Sequence, residues 1–323
     1  MSTNKRRDVL KMGLAGLGSA LLPTVVPTLA AAQDSVAAAP KTTGTRLILL
    51  GTKGGPRVGL GRSNPANLLV INDVPYVIDC GMGVSRQFVK TGIPLSRLRY
   101  VFITHHHSDH NLEYGNLLYN AWATGLKARI DAYGPSGLER MTRNYWDLNR
   151  FDIETRIDDE QKPDLRKLVV AHDVTKDGVV LENADVRVTA LRTPHPPIAD
   201  AFAYRFETRD RVVVFSGDTA YNPKLANFAH GADVLVHEVL YPPGVDALAA
   251  RIGNAATAKK HLIDSHTSTD ELGRLAAEAQ VKMLVLSHLV PGDDEKITDE
   301  LWTRDIRKHY KGPIVVGRDM MEI

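Results

Sequence analysis

Four histidines and an aspartate fall within seven residues at "THHHSDH", Thr104 to His110, directly after the apolar run "YVFI". Imidazole nitrogen and carboxylate oxygen are the donors that suit zinc best, with manganese or iron also compatible. On a loop leaving a strand, His105 and His107 alternate onto one side and can grip one ion. Asp109 and His110 then turn back toward a second. A merely solvated polyhistidine stretch would need neither a strand before it nor further donors elsewhere, and this chain has both.

Those further donors also follow strand-like apolar runs. "TALRTP" leads into His195, "VVVFSG" into Asp218, "DVLV" into His237 and Glu238, and "MLVLS" into His288. Strand ends are rigid platforms with exposed tips, so side chains placed there can converge on one point. The elements that must do the positioning are legible in outline. Strand-like runs recur at "TRLILLG", "LLVIND", "PYVID", "YVFIT", "ARIDAYG", "VRVTAL", "AFAYRFE", "RVVVFSG", "DVLVHE", "KMLVLSH" and "PIVVG". Helical patterns interrupt them at "LEYGNLLYNAWATGL" and "TSTDELGRLAAEAQ". Many strands in two runs, with helices between, predict two sheets packed face to face and covered by helices outside.

The chain has 323 residues, 43% hydrophobic and 24% charged, enough to bury a sizeable core as one large domain or two small ones. Its basic start, an apolar middle broken by Gly and Pro, and the small residues near "LAAAQ" read as an export signal over residues 1–32. Arg6 and Arg7, followed by Asp8, Val9, Leu10 and Lys11, resemble a bacterial twin-arginine signal, which implies the twin-arginine export machinery as a partner of the precursor and a periplasmic location. The apolar run falls short of the ~20 residues that span a bilayer, so no stable membrane anchor is expected. A linker follows over residues 33–44, and the ordered domain occupies residues 45–323. Removing Lys5, Arg6, Arg7 and Lys11 together with Asp8 takes the formal charge from +2 to −1. That near-neutral balance, without a Lys/Arg run, argues against a nucleic acid partner. The single cysteine, Cys80, forms no internal disulfide and is expected to pack as a small apolar residue.

"HHHSDH" resembles the leading signature of the metallo-β-lactamase superfamily, and the similarity extends over residues 45–323. The resemblance implies an α/β fold, a four-layer αββα sandwich, with two zinc ions at one edge of the sheets. It further implies that His105, His107 and His195 bind the first ion, that Asp109, His110 and His288 bind the second, and that Asp218 of "FSGDT" bridges them. Asp79 of "VIDCG" matches the early aspartate that supports such a site from behind. Within the superfamily, "LGTKGGPR", "LVHEVL" and "SHTSTDELGRLAAEAQVKMLVLSHLVP" are similar to segments of the ribonuclease Z-like branch. Glu238 and His266 thereby match an acid and an imidazole that assist proton transfer to the leaving group, and Asp109 would orient the attacking water. "HTS" stands for the branch's "HST", "HEV" for its "HEA", and no glycine- and basic-rich arm for tRNA is found.

The resemblance implies metal-activated hydrolysis. The expected substrate is a small-molecule ester, aryl sulfate or phosphodiester, in the manner of exported arylsulfatase-like members. A ribonuclease Z-like nuclease or cyclic-nucleotide phosphodiesterase, a lactonase or hydrolytic dehalogenase, and a non-enzymatic metal-binding protein are the alternatives; the oligomeric state stays open. His106, between two ligands, should point away from the metals. His172, His230, His261 and His309 read as ordinary surface or core histidines, and His237 as structural. The segment 140–161, with Tyr145, Trp146 and Phe151, either walls the substrate site or docks onto the core; Trp122 reads as core.

Overall fold

The computed structural model describes residues 44–59, 61–251 and 254–323. The export-signal reading over residues 1–32, and nearly all of the linker, lie outside these described residues.

"TRLILLG" shows why the chain folds as stacked layers. In Thr45–Gly51, Leu47 and Leu49 face one way and Ile48 and Leu50 the other, and all four are buried. Successive strand side chains alternate between faces, so a strand covered on both sides must be apolar throughout. Ala66–Ile71 repeats the pattern, with Leu69 and Ile71 on the inner side and Leu68 and Val70 on the outer.

Two seven-stranded mixed sheets result. The first runs in spatial order Met321–Glu322, Thr45–Gly51, Ala66–Ile71, Val74–Ile78, Tyr100–Phe102, Ile130–Pro135 and Val169–Val174. The second runs Ile314–Val316, Leu284–Val290, Val234–Leu240, Val212–Phe215, Phe202–Thr208, Val186–Arg192 and Gly178–Glu182. In each, antiparallel pairing gives way to parallel pairing, from Val74–Ile78 onward in the first and from Val212–Phe215 onward in the second. Three apolar layers hold the stack together. Between the sheets lie Leu47, Ile78, Phe102, Phe202, Phe206 and Val236 with their neighbours; Phe102 meets Phe206 edge to face at 5.0 Å and stacks on Tyr133 at 5.1 Å. Outside the first sheet, Phe88, Leu117, Trp122 and Trp146 come from covering helices. Outside the second, Leu272, Leu275 and Ala276 of Thr269–Ala279 do the same, on a helix started by a Ser268–Glu271 capping box. This is the expected αββα sandwich.

Val169–Val174 and Gly178–Glu182 were not legible as strands, because both sit at the unpaired rim of a sheet and are only half-buried. Cys80 is fully buried, and burial pushes its thiol well above the ordinary value.

Candidate metal centre

Strand ends carry the donors to one edge of the sandwich. Asp79 follows Val74–Ile78, His105 follows Tyr100–Phe102, His195 follows Val186–Arg192 and Asp218 follows Val212–Phe215. His105, His107, His195 and Asp218 each bring a ligand atom within 4.8 Å of the others, as do Asp109, His110 and His288. Asp218 faces both groups: its carboxylate oxygens lie 3.8 Å from His105 Nε2, 3.3 Å from His110 Nε2 and 3.1 Å from His288 Nε2.

His288 reaches the cluster by a device that the sequence did not display. Its strand continues to Val290 rather than ending at the histidine. Glu238 pairs with Ser287 and Val239 with Leu289, which leaves His288 as the extra residue of a bulge, at φ 43°. A bulge re-aims a side chain within a sheet. The turn at "TKGGP" makes room, since a Cβ on Gly54 would sit 2.7 Å from the His288 ring.

Behind the donors, hydrogen bonds fix which nitrogen faces inward. His195 Nδ1 donates to the Ser265 carbonyl at 2.8 Å, and His110 Nδ1 donates to Asp79 at 2.8 Å. Asp79 also accepts from the Thr104 amide at 2.8 Å and the Thr104 hydroxyl at 3.0 Å. With its proton spent on Asp79, that hydroxyl accepts from His105 Nδ1 at 3.1 Å. All three rings therefore present Nε2 to the cluster, as partners of ligating histidines do. The Gly55 amide holds Asp109 at 2.9 Å.

The residues present fit divalent ions. His107 Nδ1 lies 3.0 Å from His105 Nε2 and 3.1 Å from His195 Nε2. A tetrahedron with metal–nitrogen bonds of ~2.0–2.1 Å has edges of about 3.3 Å, so three inward nitrogens at this spacing match one. Buried Asp218 Oδ1 and His110 Nε2, both turned into the cluster, have no hydrogen-bond partner among the described residues. Burial holds His105 well below the ordinary imidazole value and brings His107 down to about 4. Burial also opposes charge on His110 and His288, but Asp218 and its neighbouring carboxylates outweigh it, raising His110 well above its ordinary value and His288 to about 9. Asp109 and Asp218 are buried too, yet the His110 and His288 charges hold both carboxyls well below the usual range. A cation can replace those two imidazole protons against carboxylates already ionised.

Beside the cluster, His266 Nδ1 lies 3.2 Å from Glu238 Oε2, and the Thr267 amide donates to Glu238 Oε1 at 2.8 Å. Both side chains are almost fully buried. His266 also falls into a third group of converging donors with Asp218 and His288. His237, one residue from Glu238, belongs to no such group; its Nδ1 lies 2.6 Å from the Glu238 carbonyl. His106 is turned away, toward Asn111.

A cavity of about 480 Å³ opens over the cluster. Its walls come from residues 53–57, from the helices Val245–Ala250 and Ala255–Ser265, and from residues 290–293. The aromatics of 140–161 are not among them. Tyr145 and Trp146 dock onto the core outside the first sheet, so the docking reading holds for these two, whereas Phe151 is 85% exposed and neither docks nor lines the cavity. His261, read as ordinary from the sequence, does line the cavity. Its ring centroid lies 6.4 Å from those of His107, His195 and His266. Ser265 Oγ donates to the Pro196 carbonyl at 2.6 Å and so accepts from His261 Nδ1 at 3.2 Å, which leaves Nε2 free of protein partners among the described residues. The only available signal was its place five residues before His266 on a helical stretch.

Comparison with known proteins agrees with this geometry. The model of the beta-lactamase superfamily domain matches residues 76–289. Ribonuclease Z of Mycobacterium marinum is 29% identical over 280 residues, covering 86% of this chain and 97% of the relative. Ribonuclease Z of Mycobacterium sp. strain KMS is 33% identical over 249 residues, covering 75% and 83%. Among solved structures, human tRNase Z, short form, superimposes with a TM-score of 0.63 at 19% identity, covering 86% of this chain and 98% of that one. The metallo-beta-lactamase fold protein YhfI of Bacillus subtilis gives 0.63 at 20% identity, with the same coverage. The chain belongs to the metallo-β-lactamase superfamily, in its ribonuclease Z-like branch.

Proposed function

We propose that this protein is a metal-dependent phosphodiesterase holding two divalent ions, with zinc the best match to the donor set. The observation that carries the reading is the buried Glu238–His266 pair beside the two donor groups. The sequence alone favoured small aryl sulfates together with phosphodiesters; the ribonuclease Z relatives support the phosphodiester.

When bound, the ions supply Lewis acidity and ionised water near neutral pH. The chain's own residues do the rest. Asp109, held by the Gly55 amide and kept ionised by its histidine neighbours, is placed to accept a hydrogen bond from the attacking water and orient it. Glu238 engages His266 Nδ1 and fixes the ring, so the proton available to a substrate resides on Nε2. An alkoxide leaving from phosphorus needs that proton, and delivering it is general acid catalysis. Residues 53–57 and the helices Val245–Ala250 and Ala255–Ser265 wall the cavity in which a substrate would be oriented.

The test compares bis(4-nitrophenyl) phosphate with 4-nitrophenyl sulfate, which share a leaving group. Protein shown by elemental analysis to carry zinc in both donor groups should hydrolyse the diester with a kcat/KM higher by at least about tenfold, a difference of ~1.4 kcal/mol in barrier. Equal or faster sulfate hydrolysis overturns the reading, as does a protein that takes up no transition metal.

A further inference from the structure

Cations outnumber carboxylates on the cavity wall beside the histidine cluster. Lys53, Arg57 and Arg251 all line the cavity, and apart from the candidate ligands Asp109 and Asp218 the only acid among the described residues that lines it is Asp293. Asp293 holds the arginines loosely, at 3.7 Å from Arg57 Nη2 and at 3.4 and 3.5 Å from the two terminal nitrogens of Arg251. A seated guanidinium–carboxylate fork closes to about 2.7–2.9 Å, so both arginines have N–H groups to spare. Lys53 is 97% buried by its 3% exposure, and Nζ donates only to the carbonyls of Gly54 at 3.0 Å and Gly55 at 3.1 Å. No carboxylate among the described residues lies within ion-pair distance of it. Asp293 and Asp109 act on this ammonium only from a distance; a buried ammonium that no carboxylate touches is costly, and an entering anion relieves that cost. The same cavity has an apolar side, where Leu248, Leu262 and Val290 pack on one another.

We propose that Lys53, Arg57 and Arg251 form an anion-recognition subsite, which selects small phosphodiesters carrying a second phosphate away from the bond that is cut. The phosphodiesterase reading supplies only the group held over the metals; the subsite itself rests on the cations, their single carboxylate and the cavity. The apolar side takes the organic body between the two anionic ends. At about 480 Å³ the cavity is of the size that holds one small molecule. Arg57 and Arg251 are partly exposed, so their pull on the second phosphate weakens as salt screens it.

The experiment is calorimetric titration of the metal-loaded full chain with adenosine 5′-monophosphate and with adenosine 3′,5′-bisphosphate. The bisphosphate should bind about 10- to 100-fold more tightly, the range for added hydrogen bonds to charged groups. In the double variant Arg57→Gln, Arg251→Gln that advantage should shrink to less than about threefold, and in wild type it should shrink with rising salt. Both replaced side chains are partly exposed, and an unchanged melting temperature shows that the fold survives. No preference in wild type overturns the proposal, as does a preference that survives the double substitution or a double variant that weakens both ligands equally. Binding is read without turnover, whereas hydrolysis of bis(4-nitrophenyl) phosphate, which has one phosphate, reports on the phosphodiesterase reading by itself.

Discussion

Two helical segments are inserted between strands of this sandwich, and they end up with opposite jobs. Leu138–Leu148 and Arg150–Glu160 carry Tyr145, Trp146 and Phe151 among several arginines. They connect Ile130–Pro135 to Val169–Val174, at the far rim of the first sheet. Val245–Ala250 and Ala255–Ser265 carry no aromatic residue other than His261. They leave the strand that bears Glu238 and return to the chain at His266, and both of those residues lie beside the metal-binding cluster. A short excursion that starts and ends next to a site must overhang it, whatever its composition. Aromatic content reported burial in the first segment at Tyr145 and Trp146; the points of attachment decided which segment lines the cavity.

Substitutions in the two segments sharpen that contrast. The largest effect belongs to His266→Asn. With general acid assistance removed, esters with poor, high-pKa leaving groups should slow by roughly 10²–10⁴-fold while nitrophenyl esters suffer far less. Metal content should be unchanged. Loss of an ion in His266→Asn would instead make His266 a ligand, as its place in the third donor group allows.

Trp146→Ala comes next and acts on stability alone. The side chain is buried under the first sheet's helices, so its removal should cost about 3–5 kcal/mol in denaturant unfolding. The kcat/KM of the folded fraction should stay within about twofold, since ~0.4 kcal/mol of barrier is all that such a ratio represents. A selective loss of activity at unchanged stability would return the first segment to the substrate wall. His261→Phe removes the free Nε2 acceptor from the cavity. Its expected mark is a rise in KM of about 3- to 10-fold, the worth of one hydrogen bond, with kcat little altered. An unaltered KM for every ester tried would place His261 outside the binding surface. The smallest effect is that of Phe151→Ser. Phe151 is 85% exposed, so both stability, to within about 0.5 kcal/mol, and kinetics should be unaffected. Slower turnover of this variant would mean that the first segment swings over the cavity.

Much of the centre was legible because its donors are local in sequence. His105 and His107 lie on the loop that leaves Tyr100–Phe102, and Asp109 and His110 on the short helix Ser108–Asn111 that follows at once, where the sequence reading had one loop; six residues of chain bring all four together. The distant donors His195 and Asp218 were marked by the apolar runs before them, since a buried strand that ends in a polar residue displays that residue at the sheet's edge; His288 followed such a run too, but its strand does not end there. Burial of Thr45–Gly51 on both faces was readable for the same reason, as an unbroken apolar run.

Only the tertiary structure decided the rest. The bulge that turns His288 into the cluster depends on the pairing of Leu284–Val290 with Val234–Leu240, and pairing between strands so far apart leaves no local trace. The cavity is likewise built from residues 53–57, the helices Val245–Ala250 and Ala255–Ser265, and residues 290–293, which meet in space alone. His261 and Arg251 have nothing in their neighbours that distinguishes them from surface residues of any helix. Donor chemistry is a property of residue type and spacing, so the sequence by itself determined that this chain carries a metal-type donor cluster at a sheet edge. What faces that cluster depends on which surfaces the packed layers leave open, and the fold alone determined that.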